Sequence, residues 1–101
     1  MIYCTAEFKA KKGKEDELFQ TLKALEIPTH KESGCIQYKV MKKLPNKFAE
    51  GVHYGILFNE IWESLEAFEE HCQMPYIVEF FEKECLNENG LVEKYNVNIF
   101  E

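Results

Sequence analysis

The stretch Phe58-Asn59-Glu60-Ile61-Trp62-Glu63-Ser64-Leu65-Glu66-Ala67-Phe68-Glu69-Glu70-His71, followed by Pro75, changes period in its middle. Up to Trp62 the residues alternate as in a strand, with Ile56, Phe58, Glu60 and Trp62 on one side. From Ser64 onward Leu65, Phe68 and Cys72 recur at helical spacing. A strand that runs straight into a helix puts a carboxylate and an indole at its own end. One helix later it delivers the imidazole of His71. Such a set converging near one strand end reads as the wall of a small-molecule site.

Outward from this stretch the elements alternate. Ile2, Cys4, Ala6 and Phe8 alternate with Tyr3, Thr5, Glu7 and Lys9 as a first strand, which Gly13 breaks. From Lys14 to about Lys31, Leu18, Leu22 and Leu25, flanked by Phe19 and Ile27, form the apolar stripe of a helix. Pro28 kinks or loosens its last turn, and Ser33-Gly34 ends the segment. Ile36, Tyr38 and Val40 mark a second strand, Leu44 to His53 a loop, and Tyr54 to Trp62 a third strand. Ser64 is an N-cap, with Glu66 in the first turn where the helix dipole favours an acid. Pro75 opens a further helix that carries Ile77, Val78, Phe81 and Cys85 inward. Asn87 to Gly90 is a turn, and Tyr95, Val97 and Ile99 belong to a fourth strand.

The order β-α-β-β-α-β, with strands two and three as a hairpin, predicts an α+β, ferredoxin-like fold. Its four-stranded antiparallel sheet has the helices on one face. Residues 1–101 then form a single domain. The helices cover only one face, yet strand three is apolar on both, with Tyr54, Ile56, Phe58 and Trp62 against Leu57 and Ile61. Tyr3 and Met41 add to the uncovered side. The economical remedy is a homodimer with the two sheets facing each other, enclosing an aromatic-lined interior.

Composition narrows the function. A net charge of -6 argues against nucleic acid, and the one basic cluster, Lys9, Lys11, Lys12 and Lys14, is blunted at once by Glu15, Asp16 and Glu17. No run approaches the ~20 apolar residues of a membrane span. The N-terminal residues have no signal-peptide pattern, so a cytoplasmic protein is expected. The four cysteines, Cys4, Cys35, Cys72 and Cys85, stand singly, as small apolar residues rather than metal ligands. His71 and Cys72, adjacent on a helix, point about 100° apart and do not chelate one ion easily.

The pattern Glu60-Ile61-Trp62-Glu63-Ser64, Glu66-Ala67, His71 and Pro75 resembles the antibiotic biosynthesis monooxygenase superfamily, dimeric α/β-barrel proteins that include quinol monooxygenases. Lys14-Glu15-Asp16-Glu17-Leu18 after the turn glycine fits the same pattern, as does Pro28-Thr29 continuing to Glu32-Ser33-Gly34-Cys35-Ile36-Gln37-Tyr38. The resemblance implies a cofactor-independent oxygenase acting on a small quinol or polyphenol. The deprotonated substrate itself donates an electron to dioxygen, and no flavin or metal is required. The fold is similar to that of heme-degrading oxygenases, of an isomerase for a phosphorylated molecule, and of proteins without known activity. An isomerase, or a non-catalytic binder of hydrophobic metabolites, is therefore the alternative. Heme degradation is disfavoured, because Glu7, His71 and Phe81 stand where those relatives carry Asn, Trp and His. Many members have His after the proline, where this chain has Tyr76.

On this reading His71 is the general base, since an imidazole titrates near neutral pH and accepts a phenolic proton. Glu60 joins it, as a catalytic group or by fixing the His71 tautomer. Trp62, Tyr76, Tyr38, Phe58 and Phe80 are candidate substrate-binding residues, each weighed against plain core packing. Tyr76 would supply a phenolic proton donor in place of the missing histidine. His30 and His53 fall in loops and take no role. Isolated Gly13 and Gly34 make no phosphate loop.

Overall fold

The computed structural model describes residues 1–101. The strands are β1 (Ile2–Ala10), β2 (Cys35–Lys42), β3 (Ile56–Trp62) and β4 (Val92–Phe100). The helices are α1 (Glu15–Ala24), α2 (Glu26–Thr29), α3 (Leu65–Cys72) and α4 (Pro75–Phe80), the last continued by a wide turn over Phe81–Cys85. The strands form one antiparallel sheet in the order β2-β3-β1-β4, with the helices on one face, as the ferredoxin-like reading expects. No helix is long and apolar enough to cross a membrane.

Register fixes which side chains meet. Tyr38, Glu60, Cys4 and Ile99 lie side by side across the four strands, and Val40, Phe58, Ala6 and Val97 form the next row. These rows face the helices. Phe8, Phe58 and Trp62 are fully buried there, with Leu18 and Leu22 of α1 above them. Two edge-strand groups of β2 are sealed by α2 and its flank. Glu26 Oε2 accepts the Val40 N–H at 2.8 Å, and His30 Nε2 donates to the Tyr38 carbonyl at 2.8 Å.

Three local expectations need correction. The helix expected to run to about Lys31 stops at Ala24 and resumes as the short α2, because Pro28 within α2 has no N–H to donate to the Ala24 carbonyl four residues back. The inward residues of α3 are Ala67 and His71, while Leu65 and Cys72 are exposed. Gly34 explains the rotation: a Cβ at Gly34 would sit 2.6 Å from the Ala67 Cβ, so α3 lays its smallest residue on that turn. After α4 the chain widens, and the Leu86 N–H reaches back five residues to the Phe81 carbonyl at 2.9 Å. Ile77 and Phe80 of α4 and Glu84 of the wide turn go inward, while Val78 is exposed. Ser64 caps α3 as expected, accepting the Ala67 N–H at 3.1 Å, and Pro75 is the first residue of α4.

The sheet face away from the helices carries Tyr3, Leu57, Ile61 and Phe100, together with Glu7, Lys39, Asn59 and Asn96. It is more mixed than the sequence alone indicates. The aromatic rings of β3 lie on the helix side, and Glu7 on the open side pairs with His53 at 2.8 Å and with Asn96 at 3.1 Å.

Candidate functional site

Phe8, Tyr38 and Phe58 stand on the helix-facing side of the sheet, beneath α3 and α4. A cavity of about 330 Å³ remains between them. It lies beneath the helices, on the opposite side of the sheet from the interior that two facing sheets would enclose. Tyr38, Phe58, Glu60, His71 and Phe80 all line it. Trp62 and Tyr76 do not.

Trp62 sits behind the wall. It is wholly buried, its ring 4.6 Å from that of His71, and its Nε1–H donates to Glu60 Oε1 at 3.0 Å. It thus supports both polar groups of the cavity and touches neither the cavity nor solvent. The reading of Tyr76 as a pocket proton donor is also corrected. Its hydroxyl donates to Glu32 Oε2, away from the cavity, because the first turn of α4 aims it at the turn before β2.

Glu32 is the residue that sequence reasoning missed. Its buried carboxylate accepts from His71 Nδ1, at 3.0 Å to Oε2 and 3.2 Å to Oε1, as well as from Tyr76. The expectation that Glu60 sets the His71 tautomer therefore gives way: Glu32 holds the Nδ1 proton. Nε2 makes no hydrogen bond within the protein and remains as the ring's acceptor, on a residue that lines the cavity. Glu32 stands in the family-like pattern beside the turn at Ser33-Gly34, but neither signal gives it a role. Its approach to a histidine 39 residues later exists only in the folded chain.

Burial sets the electrostatics. It pushes the Glu60 carboxyl up to about 7, with the charge of Glu32 adding, against hydrogen bonds from Trp62 and Cys4 that pull it down. Burial lowers the His71 imidazole below its usual range, and the hydrogen bond and charge of Glu32 partly restore it. Tyr38 is raised far above an ordinary phenol, by burial first and then by Glu60. Burial lifts Cys72 to about 11 and Cys4 higher still, so neither thiol of the cavity wall is a ready nucleophile. His53 and His30, given no role from sequence, are occupied by Glu7 and by the Tyr38 carbonyl.

A neutral imidazole with a free nitrogen and a carboxyl poised near neutrality thus flank one apolar cavity. No Lys or Arg lines it. The family model for antibiotic biosynthesis monooxygenases matches residues 1–83, and the chain belongs to that family. Among its relatives is the uncharacterized protein YjcS of Bacillus subtilis, 32% identical over 99 residues, covering 97% of this chain and 88% of that one. Another is the uncharacterized protein sll1783 of Synechocystis, 30% identical over 82 residues. That match covers 81% of this chain but only 52% of the relative. The crystal structure of SO0527 from Shewanella oneidensis superposes with a TM-score of 0.81 at 29% identity, covering 98% of this chain and 87% of the other.

Proposed function

We propose that the chain is a cofactor-independent monooxygenase acting on a small quinol or polyphenol, with His71 as proton acceptor. The observation that carries the reading is that His71, from α3, and Glu60, from β3, both line one apolar cavity. His71 Nε2 takes the first phenolic proton, and Glu32 stabilises the imidazolium that forms. Glu60 accepts the hydrogen bond, and then the proton, of a second hydroxyl. The resulting anion is electron-rich enough to reduce dioxygen. A hydroquinone and dioxygen give a hydroxyquinone and water, one oxygen atom entering the ring and the ring supplying all four electrons.

The cavity volume falls at the lower end of the range for small-molecule pockets, about 300–1,000 Å³, which suits one or two rings. The lack of a cationic lining residue speaks against a phosphorylated substrate, and hence against the isomerase alternative. The same proposal includes a homodimer joined through the open sheet face, supported by Tyr3, Leu57, Ile61 and Phe100 there. A monomer at sedimentation equilibrium would remove that part. The activity is tested by oxygen consumption of metal-free protein with a panel of hydroquinones. Uptake above the blank that is lost in His71→Ala is expected. No uptake, or equal uptake by the variant, overturns the reading.

A further inference from the structure

The cavity has a direction. At one end Glu60 is 3% exposed, His71 4% and Tyr38 3%. At the other, Val78 is 40% exposed, Val97 40% and Leu86 68%, and all three line the same cavity. Glu60 is on β3 and Val97 on β4, two strands apart in the sheet, which is about 10 Å. The polar groups are therefore sunk at the closed end, and the opening beside β4 is rimmed by aliphatic side chains.

This arrangement fits poorly with a substrate that carries a further polar end beyond its hydroxylated ring. The second polar end would lie against Val78, Leu86 and Val97 and lose its hydrogen bonds to water. The rim has its own chemistry. Its ionisable side chain is Glu82, an exposed acid, so a tail ending in a carboxylate or phosphate would meet repulsion there. The wide turn over Phe81–Cys85 brings Phe81, Glu82 and Leu86 together at this opening.

We propose that the ligand is a phenol or hydroquinone bearing one uncharged aliphatic chain, its hydroxylated ring against Glu60 and His71 and its chain leaving past Val78, Leu86 and Val97. This rests on the proposed function for the orientation of the ring. It adds the substrate class and names Leu86 and Val97 as specificity-determining residues.

The test separates binding from turnover. Titration calorimetry with 4-alkylphenols from methyl to heptyl measures affinity without oxidation, and 2-alkylhydroquinones are followed in parallel by oxygen uptake. Each added methylene is expected to tighten binding by up to about fourfold until the chain clears the rim. Val97→Asp and, independently, Leu86→Asp are expected to flatten that dependence. Both positions are at the surface, so at least one variant can be read in the folded state. Affinity that climbs with chain length but without oxygen uptake upholds this inference and removes the oxygenase reading. A flat series with robust uptake does the reverse. Failure of every alkylphenol to bind, or an unchanged slope in both variants, overturns the inference.

Discussion

His71 Nδ1 lies 3.0 Å from Glu32 Oε2, both side chains being almost wholly withdrawn from water. The pair joins the last turn of α3 to the turn before β2, and the Tyr76 hydroxyl closes the same carboxylate from α4. Two consecutive helices are thus locked to a turn 39 residues before His71, around one acid. The lock decides which nitrogen of His71 is available.

Replacing Glu32 by Gln is the direct probe. The carboxylate raises the His71 pKa through its hydrogen bond and charge, so its loss should move that pKa further down. Nitrogen chemical shifts of the His71 ring, followed against pH, would show this move and a loss of preference for the Nδ1–H tautomer. On the proposed mechanism, turnover should fall by about tenfold to a hundredfold, part of what general base catalysis supplies. A variant with unchanged ring shifts would deny Glu32 its positioning role.

Glu60 makes a prediction about stability whose sign runs opposite to an ordinary surface acid. Its pKa rises from 4.5 to about 7 on folding. Below pH 4.5 both folded and unfolded chains hold the proton. Between those values the unfolded chain releases it first, so stability is lost as pH rises, by roughly 3 kcal/mol once both forms are ionised. Glu60→Gln keeps an acceptor for the Trp62 N–H and carries no charge. It should match the parent near pH 4 and exceed it at pH 8 in urea unfolding. Equal midpoints at pH 8 would show that Glu60 ionises without penalty.

The strand-to-helix change of period at Trp62–Ser64 made the fold legible, because each side of it obeys a local rule: alternation before, capping after. Pro75 was equally readable, since its missing N–H fits only the first turn of a helix. Register carries Tyr38, Phe58 and Glu60 to the helix-facing side of the sheet, and His71 and Phe80 reach the same cavity from α3 and α4. Glu32, the concealed place of Trp62 and the turned-away hydroxyl of Tyr76 were not readable. They depend on how α3 and α4 settle on the sheet, which no local pattern encodes. The facing of α3 is the plainest case. Leu65 and Cys72 are the more apolar side chains, yet Ala67 goes inward because only a small residue fits over Gly34.

That contact gives a further prediction. Gly34 has φ +86°, and a Cβ there would be 2.6 Å from Ala67. Gly34→Ala should cost roughly 2–4 kcal/mol, combining left-handed strain with overpacking. The turn also carries Glu32, so the damage should reach the site. Loss of the His71–Glu32 bond, seen in the ring shifts, should accompany the lowered urea midpoint. A destabilisation under about 0.5 kcal/mol, within the range of a neutral surface change, would contradict the packing described.

Trp62 is the last test, because it separates a pocket wall from a support. The indole N–H lowers the Glu60 pKa by donating to Oε1 at 3.0 Å. Trp62→Phe keeps a ring beside His71 but withdraws that donor, so the Glu60 pKa should climb above about 7. Carbon chemical shifts of the Glu60 carboxyl report this without any assay of turnover. If ionised Glu60 serves the reaction, the rising limb of the rate against pH should move to higher pH by the same amount. The maximal rate at the new plateau should be largely kept. The smaller ring should also cost roughly 1–3 kcal/mol of stability. A Trp62 that lined the cavity would behave otherwise, since its removal would weaken binding at every pH and leave the Glu60 titration where it was.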